Sequence, residues 1–189
     1  MSPLFRLIAR TSLLLLLSAP ATALAAAVGY YPNGQVQWEY LYQNGQVSEA
    51  KWYDELGRLS ARTTFRDGRP VMNEGYRSDG TLEWQCRELA GGRQEVVRFG
   101  PGRRAEMRYE IADGQPDGPS VLLYPGGQRR QLVTFRRGVP HGPAQTFFES
   151  GQVENDYAYD NGQLHGPFRV FSPEGQLLAE YRYEHGQLR

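Results

Sequence analysis

The stretch SGQVENDYAYDNG, residues 150–162, carries the pattern that decides the fold of this chain. After its first glycine, apolar or aromatic side chains stand at offsets +2, +6 and +8, at Val153, Tyr157 and Tyr159, and the odd offsets are largely polar. Alternation with a period of two is typical of a β-strand with one buried face. The Asn-Gly at its end is a hairpin signal. The stretch therefore predicts a strand that ends in a tight turn.

The same pattern returns along the chain without gaps, as NGQVQWEYLYQNG at 33–45 and as EGQLLAEYRYEHG at 174–186. The glycine spacing sets a period of about 23 residues in the early units and about 24 in the later ones, which is in the range of repeat architectures. Arg103 fills the one vacant glycine position. A large apolar residue four positions before the first glycine of each unit marks a second strand: Tyr30, Tyr53, Tyr76, Phe99, Leu123, Phe147 and Phe171. The sequence therefore predicts an all-β, elongated antiparallel sheet of about seven stacked β-hairpins.

The triplet His-Gly-Pro occurs at 141–143 and again one repeat later at 165–167. Proline has no N–H to give to a strand ladder, so it belongs at a strand start, an edge or a bulge. The later units are one position longer than the early ones, which predicts a bulge at this place. We therefore interpret the triplet as structural.

Residues 1–27 have a basic start, a short leucine run and a stretch of small residues with A-x-A spacing. This layout predicts a secretory signal peptide, cleaved after Ala25 or Ala27, and a repeat domain over residues 28–189. An uncleaved membrane anchor is the alternative, but Pro20 and the short apolar run suit a spanning helix poorly. No cysteine follows the run to carry a lipid. We expect an exported protein, located in the periplasm.

Net charge limits the kind of binding partner, and cysteine content limits how the fold is stabilised. Without the leader the chain has 19 basic and 21 acidic residues, a net charge of −2. Near-neutral charge argues against nucleic acid as a partner. Cys86 is the only cysteine, so no internal disulfide stabilises the exported chain, and its sheet and core must do so.

The repeats resemble MORN-type repeats, specifically the bacterial variant found in the YwqK-type antitoxin family of toxin–antitoxin systems. The segments YYPNGQVQWEYLYQNGQ, HGPAQTFFESGQVENDYAYDNGQ and HGPFRVFSPEGQLLAEYRYEHGQ carry the resemblance, which covers nearly all of the chain after the leader. It is weakest over residues 85–115, where one turn glycine and the Tyr-x-Tyr pair are missing. The resemblance implies a hairpin scaffold and an antitoxin role. The leader would suit an exported relative, such as a periplasmic immunity protein.

His141 and His165 are the best candidates for catalysis or metal binding. Equivalent positions one hairpin apart are roughly 9–10 Å apart, whereas two imidazoles that share a zinc ion need nitrogens about 2 Å from it. This geometry disfavours a joint site, and His185 occupies a turn. We expect Cys86 to be a buried thiol. The sequence therefore predicts no enzymatic activity, no metal site and no cofactor.

Two features are candidates for binding. Residues 93–140 hold nine arginines against five acids, and four of them fall in one hairpin: Arg129, Arg130, Arg136 and Arg137. The aromatic stripe of the last two units supplies Tyr157, Tyr159, Tyr181 and Tyr183. Strand alternation predicts Arg129 on the aromatic face and Arg130 on the other. The competing interpretations are a solvated arginine edge and rings that simply pack against each other.

These observations favour a non-enzymatic, exported protein-binding module, and toxin neutralisation is its sharpest form, with a secreted toxin as the partner. The alternative is a repeat protein that binds glycans or lipid headgroups of the cell envelope through its aromatic face. Binding repeats of that kind depend heavily on tryptophan. Here the tryptophans are confined to the first half, at Trp38, Trp52 and Trp84.

Overall fold

The computed structural model describes residues 26–189, which form one open antiparallel sheet. Apart from the short strand at residues 163–164, successive strands along the chain pair with each other, which confirms the predicted stack of hairpins. Two 3-10 turns, Ala90–Gly92 and Pro101–Arg103, are the other regular elements of the described residues. Within this range no helix is long and apolar enough to cross a membrane. The predicted leader lies outside the described residues apart from its last two positions, which are already part of the first strand.

The strands are β1 (Ala26–Tyr30), β2 (Val36–Gln43), β3 (Gln46–Tyr53), β4 (Leu59–Arg66), β5 (Arg69–Tyr76), β6 (Leu82–Glu88), β7 (Gln94–Phe99), β8 (Ala105–Ala112), β9 (Gln115–Leu123), β10 (Arg129–Arg136), β11 (Val139–Phe147), β12 (Val153–Asp160), β13 (Gln163–Leu164), β14 (Gly166–Phe171), β15 (Leu177–Glu184) and β16 (Gln187–Leu188). Both β13 and β14 pair with β12, and they are separated by His165 alone.

Two kinds of turn alternate along the sheet. At one edge, two-residue turns place both residues in the left-handed region, as at Asn161 (φ 47°) and Gly162 (φ 84°), because this geometry matches the twist of the strands. At the other edge the turns are longer, and Gly34 (φ 85°) donates its N–H to the carbonyl of Tyr31 over 2.9 Å. Arg103, in the vacant glycine position, also has a positive φ of 59°. The turn positions were therefore predicted correctly.

A bulge beside each long turn decides which face a residue occupies. Phe147 pairs with Val153 and Thr146 pairs with Asn155, which leaves Glu154 as an extra residue. One extra residue moves every side chain beyond it to the other face. Val153 therefore lies on the face opposite Tyr157. The expectation that offsets +2, +6 and +8 share one face is wrong for this reason.

The core follows a row of paired residues on one face, which we call the tyrosine face: Tyr40, Ala50, Thr63, Asn73, Cys86, Val96, Tyr109, Ser120, Val133, Ala144 and Tyr157. Large and small side chains alternate along much of it, so the small ones are covered by their neighbours. Ala50 and Ala144 are 1% and 0% exposed. Cys86 is buried in the row, as predicted, and burial raises the pKa of its thiol.

The opposite face, which we call the ion-pair face, has its own row. In β2–β5 this row is charged: Glu39, Lys51, Arg62 and Glu74. In the middle of the sheet apolar residues alternate with Gln85, Arg108 and Gln145. In the last strands the row is charged: Asp156, Arg169 and Glu180. Charges of opposite sign lie side by side, and Arg169 Nε is 2.8 Å from Glu180 Oε2. Such cross-strand pairs help to fix the strand register.

The His-Gly-Pro triplet forms a wide bulge. Val133 pairs with Ala144 and Phe135 pairs with Pro140, so residues 141–143 oppose a single residue of β10. Gly142, at φ 96°, takes a conformation that few other residues adopt. The predicted bulge at this triplet is confirmed.

Candidate functional site

The four candidate arginines share one hairpin but lie at opposite edges of the sheet. Arg129 and Arg130 start β10, and Arg136 and Arg137 lie at its turn into β11. The extended strand between Arg129 and Arg136 separates them by roughly 24 Å. Within residues 26–189 none of the four forms an ion pair. They therefore form two separate basic positions.

Arg129 does not share a face with the tyrosines. Its guanidinium carbon lies 4.8 Å above the centroid of the Phe147 ring, and Phe147 is on the ion-pair face, opposite Tyr157. Arg130 is the extra residue of the bulge in β10, since Leu123 pairs with Arg129 and the next pair joins the neighbouring residues 122 and 131. The prediction that Arg129 lies on the aromatic face is wrong because the bulge reverses the alternation before it.

The tyrosines of the last two units do come together. The Tyr157 ring stacks on Phe168, with centroids 5.0 Å apart and planes at 21°. Tyr159 meets Tyr157 edge to face at 5.6 Å, and Tyr183 lies 5.9 Å from Phe168. Tyr181 pairs with Phe168 across the strands and is 46% exposed. We call this set the C-terminal aromatic surface: Tyr157, Tyr159, Phe168, Tyr181 and Tyr183.

Phe168 is the residue that the sequence interpretation missed. It stands one repeat after Ala144, at the same place of the next hairpin, where a small side chain fills the core. The signal was present as HGPF beside HGPA in the two repeats. A phenyl ring in place of a methyl group leaves no room for the small–large alternation, so the neighbouring tyrosines stack on it.

Hydrogen bonding and burial hold part of this surface in place. Gln131 Nε2 donates to the Tyr157 hydroxyl over 3.3 Å, from the strand two places away. Burial first, and then the neighbouring Tyr157, raise the pKa of Tyr159. The Tyr159 phenol therefore stays neutral, and able to donate a hydrogen bond, above its ordinary titration range.

The tryptophans of the first half use their rings for packing. The Trp38 ring lies 5.2 Å from Tyr40, which meets Trp52 edge to face at 6.2 Å. A methyl group added at Gly29 would fall inside the Trp38 indole, and one added at Gly75 would fall inside that of Trp84. The indoles therefore lie directly across glycine backbone.

His141 and His165 each lie beside the turn of the next hairpin, and His185 is itself part of such a turn. His141 Nδ1 is 3.3 Å from Asp160 Oδ1, and the ring centroids of His165 and His185 are 5.2 Å apart. The sequence analysis compared equivalent positions, which stay a hairpin apart, and so missed a pair that occupies different positions in neighbouring repeats. In the part of the chain that the structure describes, no three His, Cys, Asp or Glu side chains form a metal-binding group.

Comparison with protein families agrees with this architecture. Residues 140–161 and 164–185 match the family described as MORN repeat variant. These segments contain both His-Gly-Pro triplets and all five residues of the C-terminal aromatic surface. These two hairpins are thus MORN-like repeats, and repeats of that family often mediate binding to proteins or membranes. The match does not extend to the YwqK-type antitoxin family.

No curated protein matches the chain. Among solved structures, it is similar to a mutant of TarM from S. aureus in complex with Fondaparinux, alpha-GlcNAc-glycerol and UDP, with 12% identity, a TM-score of 0.40 and coverage of 50% of this chain. It is also similar to a GtfA/B complex bound to UDP and GlcNAc, with 15% identity, a TM-score of 0.28 and coverage of 56%. The chain spans 19% and 21% of the length of those chains.

Proposed function

We propose that the chain is a non-enzymatic, exported binding protein that docks a protein partner on its C-terminal aromatic surface. The observation that carries the proposal is the solvent exposure of the Tyr181 side chain. It is nearly half exposed, on a face where its neighbours Tyr157 and Phe168 are stacked and held. A rigid platform of tyrosine rings supplies contact area at a low cost in side-chain entropy.

Toxin neutralisation is the sharpest form of the proposal, with a secreted toxin as the partner and the periplasm as the location. Two observations support it: the resemblance of the repeats to YwqK-type antitoxins, and the signal-peptide pattern of residues 1–27. The net charge of −2 without the leader gives no reason to expect a nucleic-acid partner. Simple occlusion of a toxin would need neither a cofactor nor a catalytic residue in this chain.

The arginines enter the proposal as flanking charges. Arg136 and Arg137 lie at one edge of the sheet, and Arg129 and Arg130 lie at the other. Arg129 packs over Phe147 on the ion-pair face, so a partner on the tyrosine face would not contact it. The arginines would therefore act on such a partner from outside its contact area, as charges at the edges of the sheet. Exposed rim charges mainly change the association rate and its salt dependence. We therefore expect the tyrosines to dominate the affinity.

The alternative, binding to envelope glycans or lipid headgroups, would depend on exposed aromatic rings of the first half or the last. In the first half the indoles of Trp38 and Trp84 lie across glycines, which covers one side of each ring. Glycan stacking needs a free ring face. The C-terminal tyrosines are smaller platforms with hydroxyls, which suit a protein surface better.

The test is capture of envelope proteins on the immobilised chain, identified by mass spectrometry, followed by affinity measurement with the purified partner. Tyr181→Ala and Tyr157→Ala should each weaken binding by about 1–3 kcal/mol, the range of hot-spot residues. Tyr30→Ala is the matched control, since Tyr30 is 62% exposed at the far end of the sheet, and it should bind normally. Wild-type affinity in both variants, with the fold intact, would contradict the proposal. Sedimentation with envelope polymers instead of a protein would favour the alternative.

A further inference from the structure

A recurring hydrogen bond brings His165 and His185 together. In the later repeats, the N–H of each turn glycine donates to a carbonyl of the preceding hairpin, as from Gly162 to Pro140 over 2.8 Å and from Gly186 to Leu164 over 2.9 Å. In each case, the residue that follows the carbonyl-bearing residue in the chain lies next to the residue that precedes the glycine. The three pairs made in this way are Asp117 with Arg137, His141 with Asn161, and His165 with His185.

The three pairs differ in what they can bind. In the first, the Arg137 N–H donates to the Asp117 carboxylate over 3.2 Å. In the second, the Asn161 N–H approaches His141 Nδ1 at 3.5 Å. The third pair sets two imidazoles 5.2 Å apart at 49°. This third pair therefore contains two side chains that can bind a metal ion, whereas each of the other two pairs contains one.

We propose that His165 and His185 bind one divalent transition-metal ion, each through one imidazole nitrogen. Two imidazoles on a tetrahedral ion, with nitrogens about 2.0–2.1 Å from it, hold their ring centres about 5 Å apart. The observed separation of 5.2 Å fits this geometry. Both side chains are exposed, so an ion can reach them from solvent and water completes its coordination.

The ligand set selects the class of metal. Imidazole suits Zn²⁺, Cu²⁺ and Ni²⁺, and affinity at a nitrogen site rises from Ni²⁺ to Cu²⁺ and falls again at Zn²⁺. Glu184, beside His185, is engaged by Arg189 Nε at 2.8 Å, which leaves the two imidazoles as the protein ligands.

The test titrates the whole chain, without a polyhistidine tag, with ZnCl₂ and with CuSO₄ by isothermal titration calorimetry. One saturable site is expected, tighter for Cu²⁺ than for Zn²⁺. Either His185→Asn or His165→Gln should weaken it by more than the roughly 10–100-fold that loss of an outer-shell partner costs. Asparagine already occupies the equivalent turn at Asn161 with φ 47°, so the first variant preserves the turn.

Two further variants use the repeat as its own control. His141→Gln should leave the site unchanged, because His141 faces Asn161 and not a second imidazole. Asn161→His should add a second site and raise the stoichiometry to two. Absence of saturable binding, or binding that survives His185→Asn and His165→Gln, would overturn the proposal. A stoichiometry that stays at one in a folded Asn161→His variant would contradict its geometry.

Discussion

The first and last hairpins share one backbone pattern, but different side chains cover their tyrosine faces. In β2–β6 the tyrosine face carries three tryptophans, two of which lie across glycines, as Trp84 does over Gly75. In β12–β15 the same face carries stacked rings around Phe168, and Tyr181 is partly exposed. The turns and the paired rows thus define the fold, and departures from the repeat create candidate binding surfaces.

The ion-pair face shows the same contrast. Glu74, in β5, is 8% exposed and accepts hydrogen bonds from Arg62 and from the Tyr76 hydroxyl. Glu180, in β15, pairs with Arg169 in the same row, but its side chain is 49% exposed. Similar charge pairs therefore have different energetic weights in the two regions.

The largest expected effect is that of Gly75→Ala. The added methyl group would occupy the space of the Trp84 ring and force it out of its packed position. Overpacking of this kind costs about 1–3 kcal/mol, and we expect the upper end because backbone and ring both resist movement. Urea unfolding, followed by tryptophan fluorescence, measures it.

Gly126→Ala is the control for that experiment, since the methyl group would meet only the flexible end of Gln128. It should change stability by less than about 0.5 kcal/mol. Equal losses of stability in the two variants would show that packing of the Trp84 indole does not require a glycine at position 75.

A smaller effect separates the two ion pairs. Glu74→Gln should destabilise the chain by about 1–3 kcal/mol, since it weakens hydrogen bonds to a charged, nearly buried group. Glu180→Gln should cost less than about 1 kcal/mol, because the exposed pair is screened by water. Urea midpoints of the two variants, measured at low and high salt, test the difference. A larger loss for Glu180→Gln would reverse the proposed contrast.

The smallest effect concerns acid sensitivity of the long turns. Asp54 accepts the backbone N–H bonds of Arg58 and Leu56, and the first of these is the main cause that lowers the pKa of its carboxyl. A depressed folded-state pKa stabilises the fold above the unfolded-state value, about 3.9, and this stability is lost as the pH falls through the lower value. In the last long turn, the Ser172 hydroxyl accepts the equivalent bonds and does not titrate.

Amide hydrogen exchange across an acid titration tests this difference. The amide of Arg58 should lose protection, relative to its value at pH 5, at a higher pH than the amide of Gln176. Equal behaviour of both amides would show that the Asp54 carboxylate does not hold its turn.

Glycine spacing and period-two alternation were sufficient to predict the strands, the turns, the position of Arg103 and the bulge at His-Gly-Pro. They failed for the face of Arg129. The extra residue beside each long turn has no common chemistry, since the position is filled by Gln37, Ser60, Glu83, Glu106, Arg130, Glu154 and Leu178. Because no residue type marks the bulge, the sequence pattern does not show that the side chains beyond it change faces.

Contacts between hairpins were also beyond the sequence interpretation. The proximity of His165 and His185 depends on how the turn packs against the preceding hairpin. Strand alternation contains no information about such packing. Four of the five residues of the C-terminal aromatic surface, its tyrosines, follow from the aromatic stripe in the sequence. Phe168 required a comparison of equivalent positions in neighbouring repeats.

The central claim is that each hairpin depends mainly on its neighbours, so that the C-terminal aromatic surface is a local unit of an open sheet. Hydrogen exchange of the intact Phe168→Ala variant, read by mass spectrometry strand by strand, tests it most directly. The account predicts faster exchange in β12, β14 and β15, where the lost ring was stacked, and unchanged exchange in β2–β6. An equal increase in all strands would show a single cooperative unit and contradict the account.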